Sequence, residues 1–286
     1  MALTFGYEYE VAGFGLSVLD ELVGLGVVSS EYLHDYHCSC QDCRHDNYGP
    51  RAEWLFTAQQ DCTVSAEFPS KVLTWGTDQA ETAFLSMERA AVRAGAELDG
   101  DSGMHVHVGK PEKERVLRDD EGDGDALNFT TRQATTWRLA RIFARYQGEL
   151  ADIAAGGREN VRSYNTRMSV NSHDFWTRDL NGAPGPGGAR VKDFQGTWLN
   201  LRQASPTYEF RLWNAAKAAW RQRLCVAFSV AMVEAAMAGV DVTEHDPRPV
   251  EEVLAPWFDN QTWAGILRQR FSKGGAEAAR QLEMVA

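Results

Sequence analysis

The sequence has no apolar run long enough to span a bilayer, and its start, from Met1 to Glu8, has no basic segment followed by an apolar stretch. Nothing in it therefore reads as a membrane span or a secretory leader. A basic excess is also missing: 29 Lys and Arg face 40 Asp and Glu, for a formal net charge of -11. Phosphate backbones need a basic footprint, so this balance argues against nucleic acid as a general partner. Cysteine is scarce, and three of the five are crowded into Cys38, Cys40 and Cys43, which does not fit the disulfide framework of a secreted domain. No repeat and no clear linker divides the 286 residues, and 44% of them are hydrophobic, ample for one core. The expectation is one soluble, cytoplasmic domain over 1-286 that needs no membrane.

What is there begins with Phe5-Gly6-Tyr7-Glu8-Tyr9-Glu10-Val11, in which aromatic and acidic residues alternate. Successive side chains of a strand point to opposite faces, so Phe5, Tyr7, Tyr9 and Val11 share one face while Glu8 and Glu10 share the other. The pattern returns twice. Met104-His105-Val106-His107-Val108 carries two histidines behind an apolar face, and Tyr208-Glu209-Phe210-Arg211-Leu212 carries a Glu and an Arg behind an aromatic one. Solvated faces of half-buried strands are ordinarily Thr, Ser, Lys or Gln, so three strands backed by acids, imidazoles and a guanidinium point to a common charged surface.

Between these strands the chain reads as follows. Apolar residues at helical spacing, Leu16, Leu19, Leu22 and Val23, predict a short helix that runs out at Gly24 and Gly26. The segment at about 34-50 is polar, rich in Cys and His, and without period. Cys38, Cys40 and Cys43 with His45, and with His37 or Cys62 as further candidates, supply thiolate and imidazole at spacings that suit a structural Zn²⁺. An unmetallated loop is the other reading, because the usual second Cys pair is missing. Two strands, Glu53 to Ala58 and Thr63 to Phe68, are expected around a turn, with Glu67 at the end marked by Pro69.

Thr77-Asp78 caps a predicted helix that ends at Gly95. A long amphipathic helix is expected over Thr130 to Ala155, with Arg132, Arg138, Arg141 and Arg145 on the side away from its apolar stripe. The acidic run Asp119 to Asp125 reads as a solvated loop, and the Gly/Pro-rich Asp179 to Arg190 as a flap. Arg158, Arg162 and Arg167 are either surface residues or phosphate clamps. A strand over Trp198 to Arg202 is expected to pair with Thr207 to Trp213, and the remainder, Ala215 to Ala238 and Val250 to Met284, to be helical.

Carboxylates crowded in one concavity repel, and the stable solutions are to protonate some or to place cations among them. Glu8, Glu10, Glu67 and Glu209 with an imidazole from His105 form an oxygen-rich set that suits Mg²⁺ or Mn²⁺ better than zinc. Arg211 adds a fixed planar cation, which together with a metal answers the needs of a phosphoryl group.

Asp101-Ser102-Gly103-Met104-His105-Val106-His107 resembles the G-x-G-M-H-x-H segment of glutamine synthetases, Glu8-x-Glu10 their first metal-binding acid pair, and Glu209-x-Arg211 their late Glu-x-Arg. The order and brevity of the whole are similar to the amidoligase family of small, glutamine-synthetase-like carboxylate-amine ligases, with Glu67-Phe68-Pro69 a loose fit to its second motif. The resemblance implies an α+β fold: a curved, mostly antiparallel sheet of the glutamine-synthetase catalytic type, packed on helices, with a helical C-terminal third. It implies Mg²⁺ held by Glu8, Glu10 and Glu67, with His105 and Glu209 completing a second metal site. His107 would lie near the phosphates of ATP, with Arg211 clamping the transferred phosphoryl and Arg167 a further cation for the nucleotide. Small-molecule, peptide or protein carboxylates and amines are the implied substrates, joined through an acyl phosphate. Two other functions are compatible with the residues: a metal-dependent hydrolase using the same Glu/His set, and a non-catalytic binding module with a zinc-bound loop.

Overall fold

A computed structural model describes residues 3–28, 33, 54–60, 64–96, 98, 102–111, 131–155, 198–201 and 206–272. The Cys/His segment with Cys38, Cys40, Cys43 and His45, the loop acids, the Gly/Pro-rich flap, Cys62, Glu53 and Arg167 all lie outside the described residues.

The fold is α+β, with an open, mostly antiparallel sheet. Its strands are β1 (Thr4–Val11), β2 (Ala66–Pro69), β3 (Leu73–Thr74), β4 (Gly103–Gly109), β5 (Leu199–Asn200) and β6 (Thr207–Asn214). They run in the order β2-β1-β4-β6-β5, with β3 also paired to β1. The helices are α1 (Gly15–Gly24), α2 (Asp78–Arg93), α3 (Thr131–Ala155), α4 (Ala219–Met237), α5 (Val250–Leu254) and α6 (Asn260–Ser272), with a 3₁₀ turn at Ala255–Trp257. No helix among the described residues is long and apolar enough to cross a membrane.

The alternation of β1, β4 and β6 sends their apolar residues to the helical side. Phe5 and Tyr7 pack on Phe84 of α2 at ring-centroid distances of 6.1 and 5.6 Å, and Phe210 meets Phe143 of α3 at 6.3 Å. All five rings are essentially solvent-free; complete burial of such side chains contributes about 1.5–3 kcal/mol each. Helix α2 forms where expected: Thr77 Oγ1 accepts from the Ala80 amide, Asp78 and Glu81 lie in the first turn, Arg93 in the last, and Gly95 at φ 66° closes it. Helix α4 is apolar almost all round because it runs through the middle of the helical layer, between α2, α3, α6 and the sheet.

Several elements depart from the sequence expectation. Residues 54–60 form no strand but isolated bridges, Phe56 to Val28 and Ser70 and Gln59 to Glu67, which close the outer edge of the short strand β2. In α1 the buried stripe is Val18, Leu19 and Leu22, and Leu16 is exposed. Gly15 lies so close to Ala66 that a Cβ would meet its methyl at 2.5 Å. Arg141 is buried, not solvated: it pairs with Asp241, while Arg145 donates to the Asp246 carbonyl. The run from Val250 is not one helix. Pro256 falls in the 3₁₀ turn, and Asp259 accepts from the Thr262 amide at 2.7 Å to start α6 anew.

Candidate functional site

The other face of the sheet gathers the ionisable residues in rows set by strand register. Glu8 on β1 stands opposite His105 on β4, and Glu10 opposite Glu67 on β2. A third row crosses four strands, with Gly6, His107, Glu209 and Asn200 contributed by β1, β4, β6 and β5. Because β1 offers glycine there, no β1 side chain stands directly across from His107 in that row.

Strand β6 needs a special device to serve both faces. Between Met104 and Val106 of β4, two steps along the chain, β6 advances three, from Phe210 to Trp213. This bulge reverses the alternation. Glu209 and Arg211 stay on the ionisable face, while Trp213, which simple alternation would have placed beside them, turns into the core and donates to Ser229 of α4 at 2.9 Å.

Contacts within the group are close. His105 Nδ1 lies 3.0 Å from Glu8 Oε2 and 3.8 Å from Glu209 Oε1, and its Nε2 lies 3.4 Å from Glu10 Oε1. His107 Nε2 is 3.1 Å from the other Glu8 oxygen, and its Nδ1 is 3.3 Å from Thr207 Oγ1. Arg211 Nε donates to Glu209 Oε1, and Asn200 Nδ2 donates to Glu209 Oε2 at 2.8 Å. Glu10, Glu67 and His105 are buried, at 5%, 8% and 7% exposure, whereas Glu8, His107, Glu209 and Arg211 are partly open. The buried end is therefore acidic, with the guanidinium at the more open part.

Electrostatics in this group are mutual. Burial on its own would raise the Glu8 carboxyl, but the charge of His107 and hydrogen bonds from both imidazoles hold it well below the usual carboxylate range. Burial would lower His107, yet Glu8 and then Glu209 outweigh it and keep the imidazole above its ordinary value. The same contest, won by Glu209, Glu8 and Glu10, keeps Arg211 charged.

All seven described residues expected at the site, Glu8, Glu10, Glu67, His105, His107, Glu209 and Arg211, thus lie on one face. Glu8, His107 and Glu209 each offer a ligand atom within 4.8 Å of the others, so one cation could be shared among them. That trio contains His107 where the family resemblance implies His105, although His105 touches more of the acids. The donor set, mainly carboxylate with imidazole and without thiolate, fits Mg²⁺ or Mn²⁺. Sequence reasoning missed Asn200 and Thr207, which hold Glu209 and His107. The alternation Leu199-Asn200-Leu201 was a readable sign that Asn200 faces away from the core.

Comparison with known proteins adds no assignment: the chain matches no family model and no curated protein.

Proposed function

We propose that this face is the active site of an ATP- and Mg²⁺-dependent carboxylate-amine ligase with a glutamine-synthetase-like sheet, similar to the amidoligases. The observation that carries the reading is the convergence of four carboxylates, two histidines and Arg211 from four strands onto one surface, in a register that leaves the opposite face to the core. Glu8, Glu10, Glu67, His105 and Glu209 would hold the metal. Mg²⁺ there supplies charge neutralisation for the phosphate oxygens of the nucleotide.

The chain's own residues do the remainder by position and charge. Arg211, kept protonated and fixed by Glu209, presents a planar cation to the transferred phosphoryl group as negative charge spreads over its oxygens. His107, less buried than His105 and held by Thr207, would donate to a phosphate by exchanging its Glu8 contact for it. The substrate carboxylate attacks the γ-phosphorus, the bond to the β-γ bridging oxygen breaks, and ADP leaves. An amine then attacks the acyl carbon, an amide bond forms, and inorganic phosphate departs with the former carboxylate oxygen. A reaction that consumes ATP suits the cytoplasm.

The Glu8, His107 and Glu209 trio also supports a second reading, a metal-dependent hydrolase, in which a cation held by these three would activate water. One experiment separates the two. Purified protein with ATP and Mg²⁺ is screened against mixtures of amino acids, polyamines and peptides for ADP release. The ligase releases ADP only when a carboxylate and an amine are both present, and the hydrolase cleaves its substrate without ATP. Absence of amine-dependent ADP release across the screen, with ATP-independent cleavage in its place, would overturn the ligase.

A further inference from the structure

Beyond the residues assigned to metal and phosphoryl binding, we infer that Asn200 is a positioning residue that fixes the Glu209 carboxylate for the cation. The inference rests on the proposal that Glu209 is a metal ligand. Glu209 is gripped at both oxygens, Oε1 by Arg211 and Oε2 by Asn200 at 2.8 Å. The two donors do different things. Arg211 is a cation and draws on the negative charge that a metal needs, whereas a neutral amide orients the carboxylate while leaving that charge in place.

The fold goes to some length to put an amide there. Strand β5 is only two residues long, and it sits at the edge of the sheet with Asn200 directly opposite Glu209. Leu199 and Leu201, on either side, are buried at 0% and 1% exposure, and Trp198 before them is buried as well. The Trp198 carbonyl also accepts from the Arg211 amide at 2.7 Å, so the segment is tied to β6 at the residue that makes the other grip on Glu209. A one-residue slip of this strand would place a leucine opposite Glu209 and Asn200 in the core, which the flanking apolar residues prevent.

The test is Mn²⁺ binding by calorimetry to wild-type protein, Asn200→Leu and Asn200→Gln, with the metal-free melting curve of each. Leucine keeps the branched shape and removes the donor; glutamine restores an amide. Asn200→Leu is expected to melt as one cooperative unit and to bind Mn²⁺ about 10- to 100-fold more weakly, the range for loss of a group that holds a metal ligand. Asn200→Gln is expected to recover most of that loss, and if the leucine variant fails to fold, Asn200→Ala, which also removes the donor, takes its place. Mn²⁺ affinity within about twofold of wild type in Asn200→Leu, or in Asn200→Ala if the leucine variant does not fold, would overturn the role of Asn200 alone. Wild-type protein that takes up no Mn²⁺ would overturn the metal reading of the site, and this inference with it.

Discussion

The two faces of the sheet are made by the same strands yet obey opposite rules. On one, Phe5, Tyr7, Tyr9, Val106, Val108 and Phe210 are buried against α2, α3 and α4, and each contributes to stability by leaving water. On the other, Glu8, Glu10 and Glu209 each lie within reach of an imidazole or Arg211 and Glu67 stands opposite Glu10, an arrangement that costs desolvation and repulsion unless cations offset it. The apolar face stabilises the protein and the ionisable face draws on that stability. Substitutions on the two faces should therefore separate stability from activity.

The largest expected effect is on the ionisable face. Glu10→Gln and Glu209→Gln remove a negative ligand while keeping shape, and each should lower ATP turnover by about a thousandfold or more, roughly 4 kcal/mol of barrier. Far-UV circular dichroism and melting should stay near wild type. Turnover at the wild-type rate in either variant would show that the face is structural.

The converse substitution comes next. Phe210→Ala opens a cavity against Phe143 and should cost about 3–5 kcal/mol in chemical denaturation, while any folded fraction retains its metal affinity. A loss of metal affinity without a loss of stability would reverse the division between the faces.

A smaller effect should separate the histidines. His105 lies among Glu8, Glu10 and Glu209, so His105→Ala is expected to weaken Mn²⁺ binding by about tenfold or more, roughly 1.4 kcal/mol or above. His107→Ala should instead raise the KM for ATP. If His107→Ala shows the greater loss of metal, the trio of Glu8, His107 and Glu209 is the primary metal set.

The smallest is a pH effect. With its folded value raised, His107 contributes stability that is fully present below its unfolded value, about 6.5, and is lost as pH rises through the folded one. Glu8, with its folded value depressed, contributes stability present above its unfolded value, about 4.3, and lost as pH falls through the folded one. The pair therefore stabilises most between the two unfolded values, about 4.3 and about 6.5, and less on either side. Urea titrations of metal-free protein at pH 6 and pH 9 should show a decline with pH that His107→Gln removes, on the order of 1 kcal/mol or less for a partly exposed pair. An unchanged decline in His107→Gln would mean that another group carries it.

The legibility of the two faces in the sequence differed for physical reasons. Alternation in β1, β4 and β6 is local, and it alone was enough to place Glu8, Glu10, His105, His107, Glu209 and Arg211 on one side. The Thr77 cap and Gly95 stop likewise marked α2 from neighbouring residues. The bulge that turns Trp213 inward was not legible, because it depends on how β6 meets β4 and on Ser229 waiting in α4. Arg141 looked solvent-facing because nothing nearby in sequence reveals Asp241, a hundred residues on, as its partner. Asn200 was passed over because its role depends on standing opposite Glu209 of β6 and not on local propensity.

The central claim is that the ionisable face exists to hold a divalent cation. Its most direct test is Mn²⁺ titration by calorimetry of wild-type protein and a Glu10→Gln/Glu209→Gln double variant, with the metal-free melting temperature of each. Wild-type protein should bind and the double variant should not, and the variant should melt at the same temperature or higher because repulsion among the acids has been relieved. Equal Mn²⁺ binding by both proteins, or a double variant that fails to fold without the two carboxylates, would contradict the claim.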